Sequence, residues 1–319
     1  MSKKNIDVEC REVGLRDGIQ IVKTFVPTDE KIRWIREEVA AGMPNMQVCS
    51  FVPPKLLPQF SDAPDVALAA LQQDGLWVSA LTPNLRGAQT AQAIGVHEID
   101  FMNSVSETHS QSNGRRSTAE ALAEFKRVVE LRDSLPKGER FKLAGGFATS
   151  FGCSFEGHVP HKAVLQSVEN FVKAGVDEVV IADTVGYGNP KDVKELFSKV
   201  IKNFGDDVMV GAHFHDTRGL GLANVFAALE AGCRRFDASL AGLGGCPFAP
   251  NATGNIVMED LVFLLEGAGL NTGIDVDKLL PIRQIIEKNL PDEPLHGTYA
   301  KAGAPKGFPW ASSSASTQE

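Results

Sequence analysis

Thiols, positive charge and long apolar runs are all scarce in this chain. The 319 residues hold five cysteines (Cys10, Cys49, Cys153, Cys233 and Cys246). An odd number without framework spacing excludes a disulfide scaffold and fits a reduced, intracellular chain. Lys and Arg total 32 against 40 Asp and Glu, a formal charge of −8. The sequence therefore lacks the basic face with which a nucleic-acid binder neutralises phosphate, although a local basic pocket for an anion stays compatible with it. No stretch reaches the roughly 18 apolar residues of a membrane span, and the opening MSKKNIDVEC has no apolar signal core. The expectation is a soluble, cytoplasmic protein with no membrane partner. A GxGxxG turn directly after a strand is also missing, which counts against a doubly wound dinucleotide-binding sheet.

What is present is an ordinary globular composition, 43% hydrophobic and 23% charged, with material for a sizeable core. Short β-rich runs alternate with longer helix-patterned ones from end to end. The runs are Ile6–Val13, Met46–Phe51, Trp77–Leu81, Glu98–Val105, Phe141–Ala148, Glu178–Ala182, Val208–Phe214 and Arg235–Leu240. Helical patterning follows each. It begins at about Pro27, with Thr28 as the expected N-cap, and includes Thr118–Ser134 after the polar stretch SETHSQSNGRRS, read as a loop. Eight βα units in succession predict a single (β/α)8 TIM barrel, a fold of about 250 residues plus insertions. The expected division is a barrel over residues 1–289, closed by a helical extension, and a Pro/Gly/Ser-rich tail over 290–319. That tail is expected to be disordered, or to fold over the barrel mouth.

The densest chemistry lies in VGAHFHD, residues 210–216. Side chains at i and i+2 of a strand leave the same face, so His213 and His215 point one way. Two co-facial imidazoles at a strand end are half of a metal site, or two satisfied polar residues. Loops after barrel strands carry the chemistry of this fold. There the sequence gathers Arg16 and Asp17, Ser50, Ser106, Asp183, Cys246 and Asn255. Asp, Asn and Ser are also common turn formers and caps. Two imidazoles, the Asp17 carboxylate and the Asn255 amide oxygen, completed by substrate or water, would form a six-coordinate N/O site. Such a site suits Mg²⁺ or Mn²⁺ better than Zn²⁺, Co²⁺ or Fe²⁺. A nearby Arg16 would hold an oxyanion, worth roughly 3–4 kcal/mol. Cys246, in the glycine-rich GLGGCPFAPNATGN, suits proton transfer or nucleophilic work. Cys10, Cys49 and Cys233 read as small buried hydrophobes, and Cys153 stays open between the two.

Read together, EVGLRDGIQ (12–20), SFVPPKLLP (50–58), LTPN (81–84), HFHD (213–216) and the GLGGCP loop resemble the 3-hydroxy-3-methylglutaryl-CoA lyases. They also resemble the wider group of metal-dependent barrel lyases and Claisen-type synthases. The likeness runs from about Ile6 to Leu280, and GLGGCP marks the lyase branch. It implies a retro-Claisen cleavage of a 3-hydroxy-3-methylglutaryl-CoA-like thioester to acetyl-CoA and acetoacetate. Asp17, His213, His215 and Asn255 would bind the cation, Arg16 would stabilise the enolate, Cys246 would protonate it, and Asp183 would deprotonate or orient the tertiary hydroxyl. Gln20, Gln47, Ser50 and Ser106 would contact substrate or support the ligands. The resemblance also implies a homodimer or higher homo-oligomer. The chain departs from the family at Leu15, usually proline, at Ile21-Val22, usually Asn-Glu, and at Gln47, usually glutamate. The last removes a charge from the pocket and keeps a related thioester, such as citramalyl-CoA or a longer-branched homologue, as the alternative substrate. Two other readings, a condensing synthase and a catalytically silent CoA-binding barrel, fit less well. Some 50 residues beyond the barrel leave no room for a regulatory domain, and all four proposed ligands are present.

Overall fold

The computed structural model describes residues 6–245 and 254–314. Cys246 therefore lies outside the described residues. Eight parallel strands close into a barrel: β1 (Glu9–Glu12), β2 (Asn45–Ser50), β3 (Trp77–Thr82), β4 (Glu98–Ser104), β5 (Lys142–Ala148), β6 (Glu178–Asp183), β7 (Met209–Phe214) and β8 (Arg235–Ala238). Each pairs with its neighbours in chain order, and β1 closes the ring on β8, with Arg11 opposite Asp237. Helices cover the strands outside and side chains fill the barrel inside, so β2 and β6 are buried along their whole length.

The covering helices are α1 (Thr28–Ala40), α2 (Ala63–Leu71), α3 (Leu85–Ile94), α4 (Glu107–Gly114), α5 (Thr118–Ser134), α6 (His161–Ala174), α7 (Pro190–Phe204), α8 (Gly221–Glu230) and α9 (Met258–Gly267). In α7 the buried residues Val193, Leu196, Phe197 and Val200 follow the spacing of one helical face. Its start is fixed by Pro190 in the first turn and by Asn189, whose Oδ1 accepts from the N–H of Lys191 and Asp192. In α5, Ser117 and Glu120 form a reciprocal capping box.

The barrel interior is not purely apolar. Inward positions two residues apart carry Glu98 and Asp100 on β4 and Arg235 and Asp237 on β8, joined by Arg11 and Glu178. All six are buried. Gly211 on β7 makes room for this layer, since a Cβ there would lie 3.0 Å from Glu178 Oε1.

Three local expectations are corrected, and one further local feature appears. Thr28 is the first residue of α1, not its cap. Pro27, at φ −55° and ψ 142°, takes that position, and Thr28 Oγ1 donates to Asp62 Oδ2 at 2.8 Å. The polar stretch after β4 contains the helix α4, begun by Ser106, whose Oγ accepts from His109 N–H. The loop after β5 forms a small antiparallel hairpin of Gly152–Cys153 and Gly157–His158. The segment beyond residue 289 is packed well into the expected tail. Tyr299 is buried and joins Phe263, Phe308 and Trp310 in an aromatic cluster on α9. Asp260 accepts from the N–H of Thr298 and Tyr299 at 2.7–3.0 Å. Three aromatics in a Pro/Gly-rich segment are enough to anchor it. Residues 315–319 lie outside the described residues. Among the described residues, no helix is long and apolar enough to cross a membrane.

Candidate metal centre

The site forms at the C-terminal ends of β1 and β7 and the segment after β8. Residues 14–18 (GLRDG) leave β1 in one turn of π-helix, in which the N–H groups of Asp17 and Gly18 both reach Val13 O, at 2.7 and 3.2 Å. Glu12 fixes the turn by accepting from Gly14 N–H at 2.5 Å, and accepts from Leu240 N–H at 3.0 Å, so one carboxylate holds both loops. Asn255 is brought back to β7 by a bridge opposite His215, flanked by Asp216 N–H to Gly254 O at 2.9 Å and Ile256 N–H to Phe214 O at 3.2 Å. Gly244 is required beside it: at φ +111° a Cβ would lie 2.9 Å from both Asn255 Nδ2 and Gly18 Cα.

These elements bring four predicted ligands together. His213 Nε2 and His215 Nε2 are 3.1 Å apart, and Asp17 Oδ2 lies 3.8 and 3.6 Å from them. Asn255 Nδ2 donates to Asp17 Oδ2 at 2.9 Å and to Leu243 O at 3.2 Å, while its Oδ1 is buried without a protein partner among the described residues. One carboxylate, two imidazole nitrogens converging on each other, and an orphaned amide oxygen form a donor set of the kind that holds a divalent cation. Ligand atoms of Asp17, His213 and His215 all fall within 4.8 Å of one another. Burial alone would push the Asp17 carboxyl up, but the Arg16 guanidinium and the two imidazoles hold it well below the usual carboxylate range.

Arg16 is buried beside this cluster. Its Nη1 donates to Asp17 Oδ1 at 2.5 Å and its Nε donates to Gln47 Oε1. Gln47 thus faces the site. The other expected residues lie at the barrel mouth with different attachments. Asp183 is buried and accepts from Tyr187 N–H at 2.8 Å and Gly188 N–H at 2.9 Å. Burial pushes its carboxyl above the usual range against those two bonds. Ser50 is buried, with Oγ unpaired among the described residues. Ser106 caps α4 and lies 3.1 Å from Cys153 Sγ. Gln20 is half-buried, with its N–H on Asp17 O at 3.4 Å. Among the described residues, no hydrogen bond joins the side chains of Gln20, Ser50, Ser106 or Asp183 to the ligand cluster.

The pattern of the sequence did not single out Asp237. Its Oδ2 lies 3.1 Å from His213 Nδ1, and Arg11 holds both its oxygens, Nε to Oδ1 at 2.7 Å and Nη2 to Oδ2 at 2.8 Å. Despite burial, Arg11 and His213 keep this carboxyl far below its ordinary value. The available signal was the alternation Arg235, Asp237 on a barrel strand, two charges two residues apart on one face.

A parallel (β/α)8 barrel with a carboxylate–bis-imidazole cluster at the C-terminal end of its strands defines the class, a barrel enzyme with a candidate metal centre. The chain belongs to the HMGL-like family, which matches residues 7–286. It is 37% identical to the hydroxymethylglutaryl-CoA lyase YngG of Bacillus subtilis over 283 residues, 89% of this chain and 93% of that one. It is equally 37% identical to the (R)-citramalyl-CoA lyase of Chloroflexus aurantiacus over 303 residues, 92% of this chain and 93% of the relative. Among solved structures, an HMG-CoA lyase from Acinetobacter baumannii in complex with coenzyme A and 3-methylmalate superposes with a TM-score of 0.87 at 38% identity, covering 96% of this chain and 98% of that one.

Proposed function

We propose that this lyase is a divalent-cation-dependent enzyme that cleaves a 3-hydroxy-3-methylglutaryl-CoA-type thioester by a retro-Claisen reaction, giving acetyl-CoA and acetoacetate. The observation that carries the reading is the convergence of Asp17, His213 and His215 on one point beside the unpaired Asn255 oxygen. When bound there, Mg²⁺ or Mn²⁺ would supply a Lewis acid that lowers the pKa of a substrate hydroxyl and orients a carboxylate. Arg16 commits Nε and one Nη1 proton to Gln47 and Asp17. Among the described residues its remaining donors have no acceptor, which leaves them for the thioester oxygen, where negative charge develops as the C2–C3 bond breaks. Asp183, with its carboxyl raised by burial, is a stronger base than an ordinary carboxylate and takes the hydroxyl proton. Cys246 returns a proton to the enolate carbon, which completes acetyl-CoA. The enzyme works in the cytoplasm, in keeping with unpaired Cys10, Cys49, Cys153 and Cys233, and as a homodimer or higher homo-oligomer.

A second substrate, a citramalyl-CoA-like thioester, is favoured by one contact. Gln47 binds Arg16 as a neutral amide, so the guanidinium keeps charge that a carboxylate at this position would cancel. Both readings are tested by a panel of 3-hydroxyacyl-CoA thioesters scored for acetyl-CoA release with Mg²⁺ or Mn²⁺. Consumption of acetyl-CoA with a 2-oxo acid, and no cleavage, would replace the lyase by a synthase. Full activity in a metal-stripped sample would remove the cation from the mechanism.

A further inference from the structure

The two imidazoles of the cluster are not equivalent. His213 and Asp237 are register partners on β7 and β8, and Asp237 and Arg11 are partners on β8 and β1. Three inward-facing side chains on adjacent strands thus form one row: guanidinium, carboxylate, imidazole. The row is buried, with Arg11, Asp237 and His213 at 2%, 2% and 8% exposure. Arg11 meets Asp237 in a fork that uses both carboxylate oxygens, at 2.7 and 2.8 Å, and its remaining nitrogen, Nη1, is held by Asp100 Oδ1 at 2.7 Å and Glu98 Oε1 at 3.2 Å. The carboxylate therefore cannot rotate without breaking a bidentate pair. His215 Nδ1, by contrast, is buried with no protein partner among the described residues.

We propose that Asp237 is a positioning residue of the metal centre: clamped by Arg11, it keeps the proton of His213 on Nδ1 and so turns the Nε2 lone pair toward Asp17 and His215. An ionised carboxylate has only acceptors, so at 3.1 Å its imidazole neighbour must present N–H. A neutral imidazole with N–H at Nδ1 has its lone pair at Nε2, the atom 3.1 Å from His215 Nε2 and 3.8 Å from Asp17 Oδ2. The partner fixes ring angle as well as tautomer, and it makes the ligating nitrogen more basic. Arg11 then acts on the site at two removes, by holding Asp237 rather than by touching anything that reacts. A purely structural role for the Arg11–Asp237 pair would cement β1 to β8 and leave the imidazole free to choose either tautomer.

The inference rests on reading Asp17, His213 and His215 as a cation site, and the experiment separates the two. In metal-free wild-type protein, the ¹⁵N shifts of His213 are expected to report Nδ1–H. An Nε2–H tautomer overturns the positioning role without any variant having to fold. Mn²⁺ titration of the wild type, followed calorimetrically or by electron paramagnetic resonance, is expected to show one bound ion. Absence of binding overturns the cation site and the inference with it. Asp237→Asn is expected to weaken Mn²⁺ affinity about 10–100-fold, with Asn255 and Asp17 unaltered. Unchanged affinity in folded Asp237→Asn protein leaves Asp237 as a strut of the barrel and overturns the proposal. If that variant does not fold, the wild-type tautomer decides alone.

Discussion

Asn255 donates its Nδ2 to Asp17 Oδ2 at 2.9 Å across 238 residues of sequence, which ties the loop after the first strand to the segment after the last. The bond fixes the sense of the amide. With nitrogen on Asp17, the Asn255 oxygen is left buried and, among the described residues, unpaired, beside the atoms that converge in the ligand cluster. The same contact makes the site a product of barrel closure, because neither residue is placed by its own strand alone.

Loss of a ligand should be separable from loss of the proton donor. His215→Ala is expected to reduce Mn²⁺ affinity by more than about 100-fold, beyond the effect of a residue that only supports a ligand, and to abolish turnover. Cys246→Ser is expected to retain Mn²⁺ binding while losing most activity. Calorimetric titration alongside an acetyl-CoA release assay checks both, and equal metal loss in the two variants would contradict the division of roles.

Gln47→Glu places a carboxylate against Arg16. The ratio of kcat/KM for 3-hydroxy-3-methylglutaryl-CoA to that for citramalyl-CoA should move by about tenfold or more, as expected for one polar contact in a specificity pocket. An unchanged ratio would remove position 47 from substrate selection.

How far the sequence announced this site depends on the kind of signal. His213 and His215 were legible because strand periodicity puts i and i+2 on one face, and α5 has the bounds its pattern predicts because Ser117 and Glu120 announce its start. Asp17 and Asn255 were legible as polar residues at strand ends. Asp237 was not, because barrel interiors are expected to be filled by branched apolar side chains, and a buried ionic layer breaks that expectation. Helix α4 was hidden for a related reason. ETHSQSNG has no apolar stripe, and the element is held by the Ser106 cap and by the Ser104 Oγ–His109 Nδ1 bond of 2.8 Å.

Stability should carry a pH signature from Glu38. Burial pushes its carboxyl from 4.5 up to about 8, against the bond from Trp34 and with a further push from Glu259. With the folded-state value above the unfolded one, the contribution is fully present below about pH 4.5 and is lost as pH rises toward about 8. The wild-type Tm is therefore expected to fall over that window, and Glu38→Gln, which keeps an acceptor for Trp34, should flatten the fall and raise Tm at pH 8. Parallel Tm–pH curves for the two proteins would contradict this assignment.

The segment beyond residue 289 is part of the folded unit. Tyr299→Ala removes a buried ring and the Tyr299 Oη–Asp277 Oδ1 bond of 3.0 Å, and is expected to cost about 3–5 kcal/mol in urea unfolding. A change below about 0.5 kcal/mol would show that the aromatic cluster on α9 contributes little.

Arg11 also constrains how the barrel can be assembled. Its partner Asp237 lies 226 residues downstream, a synthesis delay of roughly 10–45 s at usual elongation rates. Until β8 emerges, the first strand carries a cation that cannot be taken out of water without heavy cost. Early burial of β1 in a half-made sheet is thereby disfavoured, because β4 supplies partners for Nη1 alone and Nε and Nη2 wait for Asp237. The ionic row beneath the candidate metal centre thus ties closure of the ring to the arrival of its last strand.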